Sequence, residues 1–248
     1  MAVFLVYCKI IIQHKNNTMN AIITGATKGI GRAVAELFAK NGFNVAVCAR
    51  TQADVAALKA SLEETYQIKV IAQVVDMSDK KAVKAFMASI LEEWKTVDVL
   101  VNNAGAFIPC ALANSDNEAA FEMMMDLNLY STYYMTQGVL PSMIAEKKGH
   151  IFNMCSIASI MPYGAYAVSK HAMLGFSKVL REEVKDKGIR VTAILPGATY
   201  TASWAGTDLP QERFMKAEDI AQSLFDIYNL SDRTVVEEII LRPQLGDI

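Results

Sequence analysis

Thr24-Gly25-Ala26-Thr27-Lys28-Gly29-Ile30-Gly31 decides the reading of this chain. The residues before it, Asn20 to Thr24, read as a short buried strand. Those after it, Gly29 to Asn41, read as a helix with apolar Ile30, Val34, Leu37 and Phe38 at helical spacing, ended by Gly42. Strand, glycine turn and helix in that order put three glycines where backbone N–H groups can meet an anion. Glycine admits positive φ and has no Cβ to block a phosphate, and a helix amino terminus offers unpaired N–H groups. The spacing is G-x-x-x-G-x-G rather than the commoner dinucleotide pattern G-x-G-x-x-G. No Gly-Lys-Ser/Thr follows, so this is not the phosphate loop of an ATPase.

Outward from this stretch, strand and helix alternate. Strands are expected at Asn44 to Cys48, Lys69 to Val75, Val97 to Val101, His150 to Cys155, Ile189 to Leu195 and Val235 to Leu241. Helices are expected at Ala53 to Thr65, Asp79 to Trp94, Ala165 to Lys187 and Ala217 to Asn229. A further helix, from about Glu118 to Glu146, is expected to bend before Pro141. The strands are continuous apolar runs, which suits a parallel sheet covered on both faces. The fold class is therefore α/β: a Rossmann-like doubly wound sheet of about seven strands, with its ligand crevice at the strand carboxyl ends. No linker or repeat interrupts it, so residues 19–248 read as a single domain.

The 248 residues are 52% hydrophobic and 20% charged, with a formal net charge of −2. A full core is available, and no basic face advertises nucleic acid. Cys8, Cys48, Cys110 and Cys155 form no C-x-x-C pair, and His14, His150 and His171 lack metal-ligand spacing, so no metal is expected. Such cysteine usage fits the cytoplasm. The apolar run Ala2 to Ile12 is too short to span a membrane, and no membrane association is expected. Residues 1–18 read as a non-core extension or a start assigned too early, with a weak anchor as the alternative.

The second strand ends Val47-Cys48-Ala49-Arg50. An acid at this point suits the free ribose of NAD, whereas an arginine accommodates the 2′-phosphate of NADP. Arg50 stands there, and Lys28 in the glycine turn is a second cation within reach of the same phosphate. NADP is the cofactor expected.

Tyr166 and Lys170 lie four apart in the run Tyr166-Ala167-Val168-Ser169-Lys170, and so share a helix face. A phenol exchanging a proton near neutrality needs roughly 4 kcal/mol of help toward phenolate. An ammonium about 4 Å away, at an effective dielectric near 20, supplies about that much. Ser156 lies just upstream.

From Met19 to Leu241 the chain resembles the short-chain dehydrogenase/reductase family. The motifs that carry the resemblance stand in order: Thr24-Gly25-x-x-x-Gly29-x-Gly31, Asp76 after the third strand, Asn102-Asn103-Ala104-Gly105 after the fourth, then Asn128, Ser156, Tyr166-x-x-x-Lys170 and Pro196-Gly197. The resemblance implies NADP(H)-dependent hydride transfer to or from a small carbonyl or alcohol, and a homodimer or homotetramer joined by the long helices around Asn128 and Tyr166. It implies Tyr166 as general acid or base, Lys170 on the nicotinamide ribose, Ser156 on the substrate carbonyl and Asn128 holding a relay water. It places Asp76 at the adenine, with Met77 beside it, and Asn103, Ala104 and Gly105 along the adenosine side. Thr27 and Ile30 belong to the phosphate turn with Gly25, Lys28, Gly29 and Gly31. Pro196, Gly197 and Thr199 would meet the carboxamide, and Thr201 the same amide or a phosphate.

Only nine residues separate Ser156 from Tyr166, which leaves Ser159 as a second candidate hydroxyl. The loop from Ala198 to Met215 is short, and Tyr200, Trp204 and Phe214, with Tyr163, are expected to line a modest pocket. The tail from Ile239 to Ile248 lacks the glycine-rich ending of acyl-carrier-protein reductases. That counts against an acyl-carrier substrate without excluding it, and the resemblance implies small ketones, 3-hydroxy acids or 3-oxoacyl groups, or sepiapterin-like carbonyls as candidate substrates. A catalytically silent NADP-binding sensor is the alternative reading.

Overall fold

A computed structural model describes residues 19–204 and 206–248. The expectation for residues 1–18 lies outside the described residues. Seven parallel strands form one sheet in the order β3-β2-β1-β4-β5-β6-β7. They are β1 (Asn20–Thr24), β2 (Asn44–Ala49), β3 (Val70–Val74), β4 (Val99–Asn102), β5 (Gly149–Met154), β6 (Ile189–Pro196) and β7 (Glu238–Leu241). The helices between them are α1 (Gly29–Lys40), α2 (Gln52–Tyr66), α3 (Lys80–Glu93), α4 (Glu118–Met125), α5 (Ser131–Glu146), α6 (Gly164–Val184) and α7 (Ala217–Tyr228). Strand order reverses between β1 and β4, which opens a crevice above their carboxyl ends.

Period-2 alternation sorts the strand side chains between two cores. Ala21, Ile23, Val45, Val47, Val99 and Val101 face α1, α2 and α7, where Phe38, Leu58 and Leu224 meet them. Ile22, Ala46, Leu100 and Ile151 face α3, α5 and α6 through Phe86, Met135 and Leu180. Each buried Val, Leu, Ile, Phe or Met among them contributes about 1.5–3 kcal/mol relative to exposure. Because both faces are covered, the strands read as unbroken apolar runs.

Two expectations change. Pro141 is carried inside α5, and the irregularity lies earlier, in a π-turn at Asp126–Tyr130 between α4 and α5. A widened turn strains the helical hydrogen bonding. Here the Ser131 and Thr132 hydroxyls donate to the carbonyls of Leu127 (2.6 Å) and Asn128 (3.1 Å). β7 begins three residues later than expected, at Glu238 rather than Val235. The Glu237 and Glu238 side chains at its start pair with Arg181 and Lys178 on α6.

Candidate active site

The glycine turn and the turn after β4 are locked together above the crevice. Thr24 Oγ1 accepts the N–H groups of Asn103 (3.0 Å) and Ala104 (2.9 Å). Asn103 Nδ2 donates back to the carbonyls of Thr24 (2.9 Å) and Gly25 (3.1 Å). Gly25 and Gly29 hold φ of +64° and +54°, in the left-handed region that favours glycine. A Cβ on Gly31 would stand 2.4 Å from both Asn103 Nδ2 and Gly25 O, so this position has no room for a side chain. α1 starts with no capping side chain and no acid in its first turn, leaving its N–H groups to an anion. A Cβ on Gly29 would meet Thr201 Cγ2 at 2.9 Å, which puts Thr201 against the same turn. This backbone cradle fits the pyrophosphate of a dinucleotide.

The rim beside it is polar and exposed. Lys28 Nζ lies 3.2 Å from Asp54 Oδ2 on the first turn of α2. Asp76 Oδ1 accepts the Ser78 N–H (2.9 Å) and hydroxyl (2.7 Å). These bonds, with a smaller contribution from the Arg50 charge, hold the Asp76 carboxyl below its ordinary range. Arg50 is exposed at the end of β2. The Met77 side chain, by contrast, is buried with its Sδ 3.5 Å from Cys48 Sγ and belongs to the core.

A second cluster lies over β4 and β5. Lys170 is only 4% exposed. Its Nζ donates to the Met154 carbonyl at 2.8 Å and stands 5.8 Å from the Tyr166 ring centroid. No carboxylate pairs with it among the described residues. Asn128, fully buried in the π-turn, accepts the Ala106 N–H on Oδ1 (2.8 Å). Its Nδ2 donates to the Ala106 carbonyl (3.0 Å) and to Ser169 Oγ (2.9 Å). Ser169 Oγ in turn donates to the Tyr166 carbonyl (2.8 Å). The turn after β4 is thereby tied to the helix that carries Tyr166. A Cβ on Gly105 would stand 2.9 Å from Asn128 Oδ1 and 3.5 Å from Lys170 Nζ. Phe107 packs edge-on against Tyr166, with centroids 5.0 Å apart.

Ser156 is half-buried, and its Oγ accepts the Ala158 N–H at 3.1 Å. Ser159 is buried, and its Oγ accepts the Ser156 N–H at 3.3 Å. Of the two candidate hydroxyls, Ser156 is the more accessible. Burial pushes the Cys155 thiol up to about 11, an inert group at neutral pH. After β6, the Gly197 N–H donates to the Leu241 carbonyl (2.8 Å), and Thr199 Oγ1 donates to the Gly197 carbonyl (3.1 Å). This fixes the Pro196–Gly197 turn to β7. In the following loop Phe214 is buried between Tyr200 and Trp204, at centroid distances of 5.7 and 4.9 Å. Tyr200 and Tyr163 are exposed.

The family model for short chain dehydrogenases matches residues 19–211, which include both clusters. The chain belongs to the short-chain dehydrogenase/reductase family. Its relatives in this oxidoreductase family include a sepiapterin reductase from Chlorobaculum tepidum, 35% identical, with 92% of this chain and 97% of that protein aligned. The NADP-dependent 3-hydroxy acid dehydrogenase YdfG of Salmonella typhi is 33% identical over 84% of this chain and 82% of its own length. Among solved structures, an alcohol dehydrogenase from Thermococcus sibiricus complexed with 5-hydroxy-NADP superposes with a TM-score of 0.84 at 28% identity, covering 94% of this chain and 99% of that one. The L-sorbose reductase of Gluconobacter frateurii with NADPH and L-sorbose also gives 0.84, at 27% identity, covering 91% and 95%.

Sequence reasoning passed over Thr24, Ser169 and Asp54. Thr24 and Ser169 lie inside the glycine-turn and Tyr166-x-x-x-Lys170 motifs, where a small hydroxyl beside a glycine turn or beside Lys170 was the available signal. Asp54 carried none, because its contact with Lys28 joins two separate elements.

Proposed function

We propose that the protein is an NADP(H)-dependent oxidoreductase acting on a small ketone, aldehyde or secondary alcohol, with Tyr166 as its general acid or base. One observation carries this reading: a buried ammonium, Lys170, stands beside Tyr166 with a single backbone carbonyl as its close oxygen acceptor among the described residues. Burying a charge with so little compensation is costly, and a function that uses the charge accounts for its retention. NADP-dependent naming and NADP complexes among the relatives support the cofactor assignment.

In this reading the glycine cradle holds the pyrophosphate, and Lys28 and Arg50 meet the 2′-phosphate. Asp76 receives the adenine, Lys170 the nicotinamide ribose, and the Gly197 and Thr199 turn the carboxamide. A nicotinamide held there would supply hydride in reduction and take it up in oxidation. Tyr166 gives its hydroxyl proton to the carbonyl oxygen in reduction and takes a proton from the alcohol in oxidation. Lys170 stabilises the phenolate left behind, by on the order of a few kcal/mol for an ammonium about 4–6 Å from the charge at an effective dielectric near 20. Ser156 orients the carbonyl, and Asn128 anchors a relay water. Proton transfer of this kind is commonly worth about 10²–10⁴ in rate, with most of the rest coming from positioning. Residues 19–248 act as one unit in the cytoplasm. Assembly through α5 and α6 belongs to the same reading, since Tyr133, Ile144, Val168 and Val179 are exposed on those helices.

The test is NADPH oxidation across diketones, aldehydes, 3-oxo acids and acetoacetyl thioesters, with Tyr166→Phe run in parallel. The expected variant binds NADPH within about threefold of wild type and loses at least about 10²-fold in turnover. Wild-type turnover in Tyr166→Phe would refute the role. NADPH binding without turnover on any substrate would favour a sensor.

A further inference from the structure

The two cations read as the 2′-phosphate site are not alone. Lys28 Nζ is 3.2 Å from Asp54 Oδ2, with the two side chains 66% and 34% exposed. Asp54 sits in the first turn of α2, which begins two residues after Arg50. The ion pair therefore ties the glycine turn to the first turn of α2, the helix that follows Arg50 in the chain. A phosphate reaching Lys28 there arrives beside a carboxylate already on the same ammonium.

The charges decide what that proximity does. A sugar phosphate carries about −1.5 to −2 at neutral pH, and Asp54 adds a like charge to its surroundings. An exposed ion pair holds its lysine weakly, so little positioning is lost if the carboxylate goes. Like-charge repulsion at roughly 6 Å in a solvated, salt-screened site is worth a few-fold to tenfold in affinity. Repulsion outweighs positioning.

Resting on the proposed NADP site, we propose that Asp54 is a specificity-determining residue: it competes with the 2′-phosphate for Lys28 and limits the preference for NADPH over NADH. The phosphorylated cofactor binds by exchanging the Lys28–Asp54 contact for a Lys28–phosphate contact. NADH has a hydroxyl in place of the phosphate and leaves the pair intact. Cofactor choice is then set by three residues, Lys28, Arg50 and Asp54, with the last acting against the first two.

The experiment is a fluorescence titration of the whole protein with NADPH and with NADH, which needs no substrate. Wild type, Asp54→Asn, Lys28→Ala, Arg50→Ala and the Lys28→Ala/Asp54→Asn double variant would be compared at low and physiological salt. Asp54→Asn is expected to tighten NADPH about three- to tenfold and to move NADH by less than about twofold. The gain is expected to shrink in physiological salt, and to fall by at least half on a logarithmic scale when Lys28 is absent. Unchanged or weaker NADPH binding in Asp54→Asn, while Lys28→Ala and Arg50→Ala still weaken NADPH, would overturn the role of Asp54 alone. NADPH affinity indifferent to both Lys28→Ala and Arg50→Ala would remove the phosphate site itself, and the Asp54 inference with it.

Discussion

Lys170 and Lys28 each lie within a motif, and both sit near the carboxyl ends of the strands, yet their surroundings differ completely. Lys170 is 4% exposed, lies over the Tyr166 ring and donates to a backbone carbonyl. Lys28 is two-thirds exposed (66%) and paired with an acid from another helix. The first is held by groups that share its helix or the strand beneath, shielded from water beside the Tyr166 ring. The second is solvated and movable, so its charge acts weakly and can be exchanged. The buried cluster is thus suited to chemistry and the exposed rim to discrimination between ligands.

The cradle that joins the two regions gives the largest test. Gly31→Ala would push a methyl to 2.4 Å from Gly25 O and Asn103 Nδ2. Overpacking of this kind costs about 1–3 kcal/mol, or a fall of roughly 3–10 °C in Tm. NADPH binding is expected to be lost, as read by a thermal melt with and without NADPH. A variant that melts normally and is still stabilised by NADPH would dissociate the cradle from the cofactor.

Arg50→Asp tests the rim. Reversing the charge is expected to lower the ratio of NADPH to NADH affinity by more than about tenfold, while turnover with saturating cofactor stays within about twofold. An unchanged ratio would take Arg50 out of the site.

Ser169→Ala tests the buried cluster. It removes the acceptor of Asn128 Nδ2 and leaves a buried amide hydrogen without that partner. A loss of about 1–3 kcal/mol in unfolding free energy is expected, with kcat falling more than NADPH affinity. Equal effects on both would make Ser169 purely structural. The smallest effect is expected at Gly175, inside α6, where a Cβ meets nothing within 4 Å. Gly175→Ala should raise stability by about 0.5–1 kcal/mol, opposite in sign to Gly31→Ala.

The same division governs what could be read from sequence. The strands were legible because both faces are covered, so every residue from Ala21 to Thr24 is buried and mostly apolar. Tyr166 and Lys170 were legible because one helix carries both at i and i+4. The π-turn at Asp126–Tyr130 was not, since its carbonyls depend on Ser131 and Thr132 hydroxyls that read as ordinary helix residues. The Lys28–Asp54 pair was hidden because 26 positions and a β-strand separate its members. Met77 lies beside Asp76 in the chain, but its side chain turns into the core toward Cys48, which adjacency does not reveal.

The most direct measurement of the central claim compares Lys170→Met with Lys28→Met in the same assay, at saturating NADPH and with NADPH affinity determined separately. The expected result is a loss of at least about 10²-fold in kcat for Lys170→Met. For Lys28→Met, weaker NADPH binding with kcat within about twofold of wild type is expected. Near-normal kcat in Lys170→Met, or a comparable loss of kcat in Lys28→Met, would contradict the division between a buried reacting cluster and an exposed selecting rim.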